Sequence, residues 1–198
     1  MHFDDRHGAK QPQRFDPKRA AALDDPARFS YLPPADVLAL LDPSVGATVL
    51  DFGTGTGAYA IAIARVRPDL HLIALDEQPE MLELLRANLA TERVPNVEPA
   101  SSTDISALRS SVPRIMAINV FHELGDAVLH ALLELLASNG RAVFVDWSAE
   151  VERPVGPPRD HVYTLTEARS HLEKKGFEII AERRFPYHYA LVAKRAHL

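Results

Sequence analysis

Three glycines at alternate positions directly follow a short apolar stretch of the sequence. The stretch covers residues 48–52, and Gly53, Gly55 and Gly57 place three of the chain's nine glycines within five residues. Glycine lets a backbone turn sharply and come close to a ligand, so this spacing predicts a binding turn. Asp51 lies two residues before the first glycine, and its carboxylate would attract a positively charged group.

The spacing of the glycines alone leaves two kinds of ligand open. Gly53, Gly55 and Ala58 satisfy the Gly-x-Gly-x-x-Ala pattern of dinucleotide-binding folds, and Asp76 is placed like the ribose-binding acid about 20 residues further on. A pyrophosphate would use the positive end of the following helix, but the carboxylate of Asp51 would repel it. S-adenosylmethionine carries an ammonium and a sulfonium, and its ribose also needs an acid. We therefore expect S-adenosylmethionine as the cofactor, with an NAD-linked oxidoreductase as the alternative.

Strands that alternate with helices must position this turn. Apolar stretches predict strands at 48–52, 70–75, near Val97, at 114–121 and at 141–147. A stripe of leucines predicts a helix that ends at Asn139-Gly140. The strands at 177–183 and 187–194 are joined by too short a turn for a crossover helix, so they must be antiparallel. The pattern predicts an α/β fold with a Rossmann-like, mostly parallel seven-stranded sheet, an antiparallel last strand and helices on both faces.

The first 33 residues differ from the rest of the chain. They are mostly charged and polar, with few regular apolar spacings, and Pro33-Pro34 interrupts the chain after them. We expect residues 1–33 to form a partly flexible N-terminal arm that could act as a lid. Residues 34–198 are expected to form one domain.

Composition excludes several classes of function. The chain has 198 residues, a formal net charge of −5 and no cysteine, which excludes disulfides, thiolate zinc sites and thiol nucleophiles. The negative charge argues against a nucleic-acid partner. No apolar run is long enough for a membrane span, and the N-terminus lacks the pattern of a secretion signal, so we expect a cytoplasmic protein. The nine histidines are scattered over separate elements, and no metal is expected.

The glycine turn resembles the first motif of class I S-adenosylmethionine-dependent methyltransferases. The resemblance covers roughly residues 34–195 and is closest to the small type related to the ubiquinone/menaquinone-biosynthesis methyltransferases. In that family an acid that ends the second strand binds the ribose, a polar residue after the third strand reads the adenine amino group, and the end of the fourth strand lines the methyl-transfer centre. The resemblance implies a set of cofactor-binding residues: Asp51, Gly53, Thr54, Gly55, Gly57, Asp76, Glu77, Asp104, Ile105 and Asn119.

The resemblance also implies the reaction, which is in-line transfer of a methyl group from S-adenosylmethionine to an acceptor, leaving S-adenosylhomocysteine. Such a transfer depends on alignment and exclusion of water, and it needs a base only when the acceptor is protonated. His122 follows the fourth strand and is the candidate base, with Glu123 beside it to orient it. The alternative is that both residues only tie the strand end to the next helix.

The acceptor is expected to be a small molecule. Tyr31, Trp147 and His161 are candidates for the substrate pocket, although each also suits a purely structural role. The segment that begins at Asn119 lacks the Asn/Asp-Pro-Pro-Tyr/Phe motif, which disfavours the enzymes that methylate adenine and glutamine amino groups. A non-catalytic module that keeps the cofactor pocket remains an alternative.

Overall fold

The computed structural model describes residues 16–102 and 108–196, and their strands form one seven-stranded sheet. The strands are β1 (Thr48–Phe52), β2 (His71–Leu75), β3 (Val97–Ala100), β4 (Val112–Ile118), β5 (Leu136–Trp147), β6 (Phe177–Arg184) and β7 (His188–Arg195). Their order is β3-β2-β1-β4-β5-β7-β6. The first five strands pair in parallel, whereas β7 is antiparallel to both β5 and β6. The fold prediction is confirmed.

In the described ranges, two helices precede β1 and four lie between strands. They are α1 (Arg28–Tyr31), α2 (Pro34–Leu41), α3 (Ala58–Val66), α4 (Pro79–Glu92), α5 (Asp126–Leu135) and α6 (Leu165–Lys174). Proline occupies the first turn of α2 and α4, where its missing N–H costs no hydrogen bond. Thr164 and Glu167 form a capping box that starts α6. Short 3-10 turns cover Pro17–Ala22, Phe121–Glu123 and Arg159–His161.

The hydrophobic core lies on both faces of the sheet. Neighbouring residues of one strand point to opposite faces, so Val49 packs into one buried cluster and Leu50 into the other. The cluster with Val49 contains residues of α2, α3 and α4, and the cluster with Leu50 contains residues of α5 and α6. The sheet is thereby covered on both sides, which leaves the ends of its strands as the place for a ligand.

Some predicted boundaries are wrong. The strand predicted at 114–121 ends at Ile118, and Phe121 begins the following 3-10 turn. Helix α5 ends at Leu135 rather than at Asn139-Gly140. Leu136 continues the helical spacing of leucines, but it pairs with Val112 as the first residue of β5. It is fully buried there, so the apolar side chain suits a buried strand as well as a helix. Strand pairing overrides the helical pattern at this point.

The described part of the N-terminal arm packs against the sheet domain. Leu32 is fully buried, and its carbonyl oxygen accepts a hydrogen bond from the Tyr59 hydroxyl of α3 at 2.9 Å. The ring of Phe29 lies edge-on to the ring of Tyr59, with 5.3 Å between their centroids. The division at residue 33 and the role of the arm as a lid stay predictions. Within the described ranges, no helix combines the length and apolar character needed to cross a membrane.

Candidate functional site

A cavity of about 570 Å³ lies at the carboxyl ends of β1, β2 and β4. The order of the strands reverses between β1 and β4, which is where open α/β sheets bind their ligands. The wall of the cavity brings together seven of the predicted cofactor-binding residues: Asp51, Gly53, Thr54, Gly55, Asp76, Glu77 and Asn119. Asp104 and Ile105 fall outside the described residues.

The glycine turn has a backbone that other residues would adopt only with strain. Gly53, Gly55 and Gly57 have φ values of 71°, 58° and 87°, in the left-handed region where glycine has no steric penalty. A Cβ atom on Gly53 would lie 2.8 Å from the side chain of Val120, and one on Gly57 would collide with Leu85. Gly53 and Gly55 face the cavity, while Gly57 begins α3 and allows its close packing against α4.

Asp76 ties the end of β2 to the glycine turn. One of its carboxylate oxygens accepts a hydrogen bond from the backbone N–H of Gly55 at 2.9 Å, and the other accepts from the N–H of Gln78 at 3.0 Å. A carboxylate oxygen can accept more than one hydrogen bond. The carboxylate can therefore hold the turn in place and still accept hydrogen bonds from the hydroxyls of a ligand in the cavity.

The carboxylate of Asp51 is buried, and the protein does little to compensate its charge. Its side chain is 3% exposed, and it accepts a hydrogen bond of 2.7 Å from the hydroxyl of Thr54. The pKa of Asp51 is raised to about 7, mainly by burial and also by the neighbouring Asp76, while the hydrogen bond from Thr54 and the cation of Arg28 oppose the rise. Because burial disfavours the charged form, a cation in the cavity would stabilise this carboxylate strongly.

Asn119 adds a second acceptor to the same wall. It follows β4 in the left-handed region at φ 59°, where asparagine is more frequent than other side chains. Its Oδ1 atom is buried without a hydrogen-bond partner among the described residues. A buried acceptor without a partner is unfavourable, so this oxygen fits a ligand that carries N–H groups.

Sequence reasoning missed several residues on the cavity wall. Arg28 of the arm lines the cavity, with its guanidinium 5.1 Å from the ring centre of Tyr59 and a hydrogen bond of 2.5 Å to the carbonyl of Leu23. Val128 and Ala131 of α5 also contribute. Val128 also packs against the core cluster of the leucine stripe, so its apolar character does not mark it as a cavity residue, and no pattern in the sequence placed Arg28 at the cavity.

His122 lies behind the cavity wall and is held by Asp146 at the end of β5. Its Nδ1 atom is 2.9 Å from both oxygens of the Asp146 carboxylate, and its backbone N–H donates to the same carboxylate at 2.6 Å. Asp146 is fully buried and also accepts from the N–H of Trp147 at 2.8 Å. The residue that orients His122 is therefore Asp146, whereas Glu123 lines the cavity itself.

The charge on His122 is favoured by its neighbours. Burial by itself lowers the pKa of the imidazole, but the negative charges of Asp146 and Glu123 outweigh burial, so the pKa lies above its ordinary value. The Nε2 atom is 3.7 Å from the nearer oxygen of Glu123. The cation of Arg153 acts against the rise.

The three candidates for the substrate pocket lie outside the cavity wall. Trp147 is 8% exposed, and its ring packs against that of His188 with 4.0 Å between centroids. The ring of Tyr31 stacks on the ring of His188, with 5.7 Å between their centroids. His161 lies in the separate turn Arg159–His161. Their role in the substrate pocket stays a prediction.

His188 has an unusual environment at the centre of this ring cluster. It is 1% exposed, and both of its ring nitrogens lack a hydrogen-bond partner among the described residues. Burial lowers its pKa to about 3, so the ring is neutral. Within residues 16–102 and 108–196, no three His, Cys, Asp or Glu side chains are arranged so that they could hold a metal ion.

Comparison with known proteins points to one family. A family model described as a methyltransferase domain matches residues 49–150, a segment that contains the strands and the turn at the cavity. Over 91% of this chain and 98% of the other, the structure is similar to the crystal structure of a SAM dependent methyltransferase from Aquifex aeolicus, with a TM-score of 0.84 and 30% identity.

Two curated relatives either match a smaller part of this chain or are less identical to it. The release factor glutamine methyltransferase of Escherichia coli (strain K12) is 32% identical over 105 residues, which are 49% of this chain and 38% of that protein. The tRNA (guanine-N(7)-)-methyltransferase of Rhodopseudomonas palustris is 25% identical over 205 residues, which are 86% of this chain and 77% of that protein. The chain thus spans well under half of the length of the release factor enzyme.

Proposed function

The chain belongs to the methyltransferase domain family, and we propose that it transfers a methyl group from S-adenosylmethionine to a small-molecule acceptor. The observation that carries the proposal is the carboxylate of Asp51, which is buried on the cavity wall with one hydrogen bond from Thr54. A buried carboxylate of this kind favours a positively charged ligand. S-adenosylmethionine carries two positive groups, an ammonium and a sulfonium.

The residues on the wall fit this cofactor group by group. Asp51 and the unpartnered Oδ1 of Asn119 would accept hydrogen bonds from the ammonium. Asp76 would accept from the ribose hydroxyls, with Glu77 beside it. The backbone of Gly53 and Gly55 leaves room for the ligand, since these positions carry no side chain. When bound, S-adenosylmethionine supplies an electrophilic methyl group on a positively charged sulfur.

The chain's contribution to the transfer is alignment and exclusion of water. The cavity is walled by apolar side chains from the arm, α4 and α5, among them Leu23, Met81 and Val128. Arg28 lines the same cavity from the arm. Apolar walls of this kind strengthen the electrostatic interactions beside them.

The net charge and the sequence after β4 favour a small molecule as the methyl acceptor. The net charge of −5 disfavours a nucleic acid, whose phosphates need a basic surface. The segment that begins at Asn119 reads Asn-Val-Phe-His, without the two prolines of the motif that marks methylation of glutamine and adenine. The relatives named above act on a protein and a tRNA, so these acceptors belong in the test as well.

The alternative of an NAD-linked oxidoreductase is not supported. The carboxylate of Asp51 would face the pyrophosphate of NAD, and the matching family model and the relatives named above are methyltransferases by name. Formation of S-adenosylhomocysteine would distinguish an enzyme from a non-catalytic module that only binds the cofactor.

Thermal unfolding with added ligands tests the proposal. S-adenosylmethionine and S-adenosylhomocysteine should raise the midpoint, and NAD should not, because only a ligand of the folded state stabilises it. Asp76→Ala should weaken binding by about 1–3 kcal/mol, since hydrogen bonds to the ribose are lost. Glu83→Ala, on the exposed side of α4, is the matched control and should bind normally.

Formation of S-adenosylhomocysteine with a panel of acceptors then distinguishes an enzyme from a binding module. A midpoint that rises with NAD and not with S-adenosylmethionine, or normal binding by Asp76→Ala, would contradict the proposal.

A further inference from the structure

Three ionisable side chains lie in a row from the core to the cavity. Asp146 is fully buried, His122 is 10% exposed and Glu123 is 16% exposed. Glu123 lines the cavity together with Asn119 and Val120, which follow β4 directly. The row therefore ends on the cavity wall, next to the end of β4.

The hydrogen bonds of this row fix the state of the imidazole. Nδ1 of His122 is 2.9 Å from both carboxylate oxygens of Asp146, so Nδ1 carries a proton that it donates to Asp146. Nε2 is then the atom whose protonation can change. It is directed toward Glu123, 3.7 Å from Oε1, a separation that a water molecule or a small side-chain rotation can bridge.

We infer that Glu123 is the catalytic residue that takes a proton from the methyl acceptor, with His122 and Asp146 as positioning residues behind it. The acceptor is then a hydroxyl or an amine, the two common groups that lose a proton when they are methylated. This inference rests on the proposed function. It assigns the contact with the acceptor to Glu123 rather than to His122, because Glu123 is the member of the row on the cavity wall.

The proton and the electrons balance in this scheme. A bond forms between the oxygen or nitrogen of the acceptor and the methyl carbon, and the bond between that carbon and sulfur breaks with its electron pair left on sulfur. The proton of the acceptor passes to the carboxylate of Glu123 and from there to Nε2 of His122. The charged groups that face this imidazole are Asp146 on β5, Glu123 on its own turn and Arg153 in the loop after β5.

Titration of the His122 imidazole by NMR tests the arrangement without any acceptor. Glu123→Gln removes a negative charge next to Nε2 and should lower the pKa of His122 by about 0.5–1 unit. Glu83→Gln removes a distant, exposed charge of α4 and should leave that pKa unchanged. An unchanged pKa of His122 in Glu123→Gln would overturn the inference.

Turnover with defined probes tests the role in catalysis. Phenol and benzylamine lose a proton on methylation, and pyridine has none to lose. Glu123→Gln should lower kcat with phenol and benzylamine about 100-fold, the usual contribution of a general base, with the dissociation constant of S-adenosylmethionine changed less than about 3-fold. Glu123→Asp, which keeps the carboxylate, should recover part of the rate.

The wild-type rate should rise with pH as His122 loses its proton, and Glu123→Gln should flatten this rise. Full activity of Glu123→Gln with phenol, or methylation of pyridine alone or of none of the three probes, would overturn the inference. If the wild type fails to bind S-adenosylmethionine, the proposed function itself fails, so the two failures are distinguishable.

Discussion

The carboxyl ends of β1 and β5 each carry a buried aspartate, and the two aspartates have opposite surroundings. Asp51 accepts a hydrogen bond from the hydroxyl of Thr54 and lines the cavity. Asp146 accepts from two backbone N–H groups and from the imidazole of His122, and it lies away from the cavity wall. The protein satisfies the second carboxylate with three donor groups and supports the first one with the hydroxyl of Thr54.

The comparison shows how one residue type serves two purposes in one sheet. A buried carboxylate is costly unless hydrogen bonds or opposite charges compensate it. Asp146 receives this compensation from the fold, which fixes the turn at Phe121–Glu123. Asp51 lacks most of it, and its pKa rises to about 7. The uncompensated position is the one that binding can exploit.

The largest expected effect is a loss of stability when Asp146, at the carboxyl end of β5, is replaced. Asp146→Ala leaves two backbone N–H groups and an imidazole without their acceptor, so the free energy of unfolding should fall by about 3–5 kcal/mol, as when one partner of a buried pair is removed. Asp51→Asn removes an uncompensated charge, so at pH 7 it should not lower the free energy of unfolding. Urea unfolding measures both. Equal losses in the two variants would break the distinction between the ends.

The second expected effect is the pH dependence of stability without ligand. The pKa of Asp51 is about 7 in the folded chain and about 3.9 when unfolded, so between these values the folded state binds more protons. Stability should therefore fall as pH rises from about 4 to 7, by at most about 4 kcal/mol at 1.36 kcal/mol per unit. The difference between wild type and Asp51→Asn isolates this contribution. A difference that is constant with pH would contradict the raised pKa.

The smallest expected effect separates binding from folding with a matched pair of glycines. Gly53 and Gly156 both have positive φ, and a Cβ on either would lie within 3 Å of a side chain, that of Val120 or that of Trp147. Alanine at either position should destabilise the fold. Only Gly53→Ala, on the cavity wall, should weaken S-adenosylmethionine binding, by about tenfold or 1.4 kcal/mol. Calorimetric titration with S-adenosylmethionine, at a temperature where both variants are folded, measures this difference in binding. Equal weakening by Gly156→Ala would indicate a general loss of structure.

The sequence predicted the ligand end of the sheet better than the rest of the cavity. Asp51, Gly53 and Asp76 lie at the carboxyl ends of parallel strands. Such strand ends meet at one edge of the sheet, and this holds without knowledge of the other elements. The mostly parallel sheet and the antiparallel last pair of strands followed from the alternation of elements and from the short last connection. These features depend on local sequence and on general rules of topology.

The remaining features depend on contacts between residues distant in sequence. The bond from His122 to Asp146 joins residues 24 positions apart, and no spacing pattern indicates it. Arg28 reaches the cavity from the arm through packing on Tyr59. The end of α5 was misplaced because Leu136 suits both a helix face and a buried strand, and only its pairing with Val112 decides between them.

Calorimetric titration of S-adenosylmethionine at pH 6, in buffers of different ionisation enthalpy, tests the role of Asp51 most directly. Binding to the wild type should release up to one proton, because the pKa of Asp51 is about 7 before the ammonium binds. Asp51→Asn should bind at least about tenfold more weakly and release no proton. Binding of wild-type strength to Asp51→Asn, with the same proton release, would contradict the account.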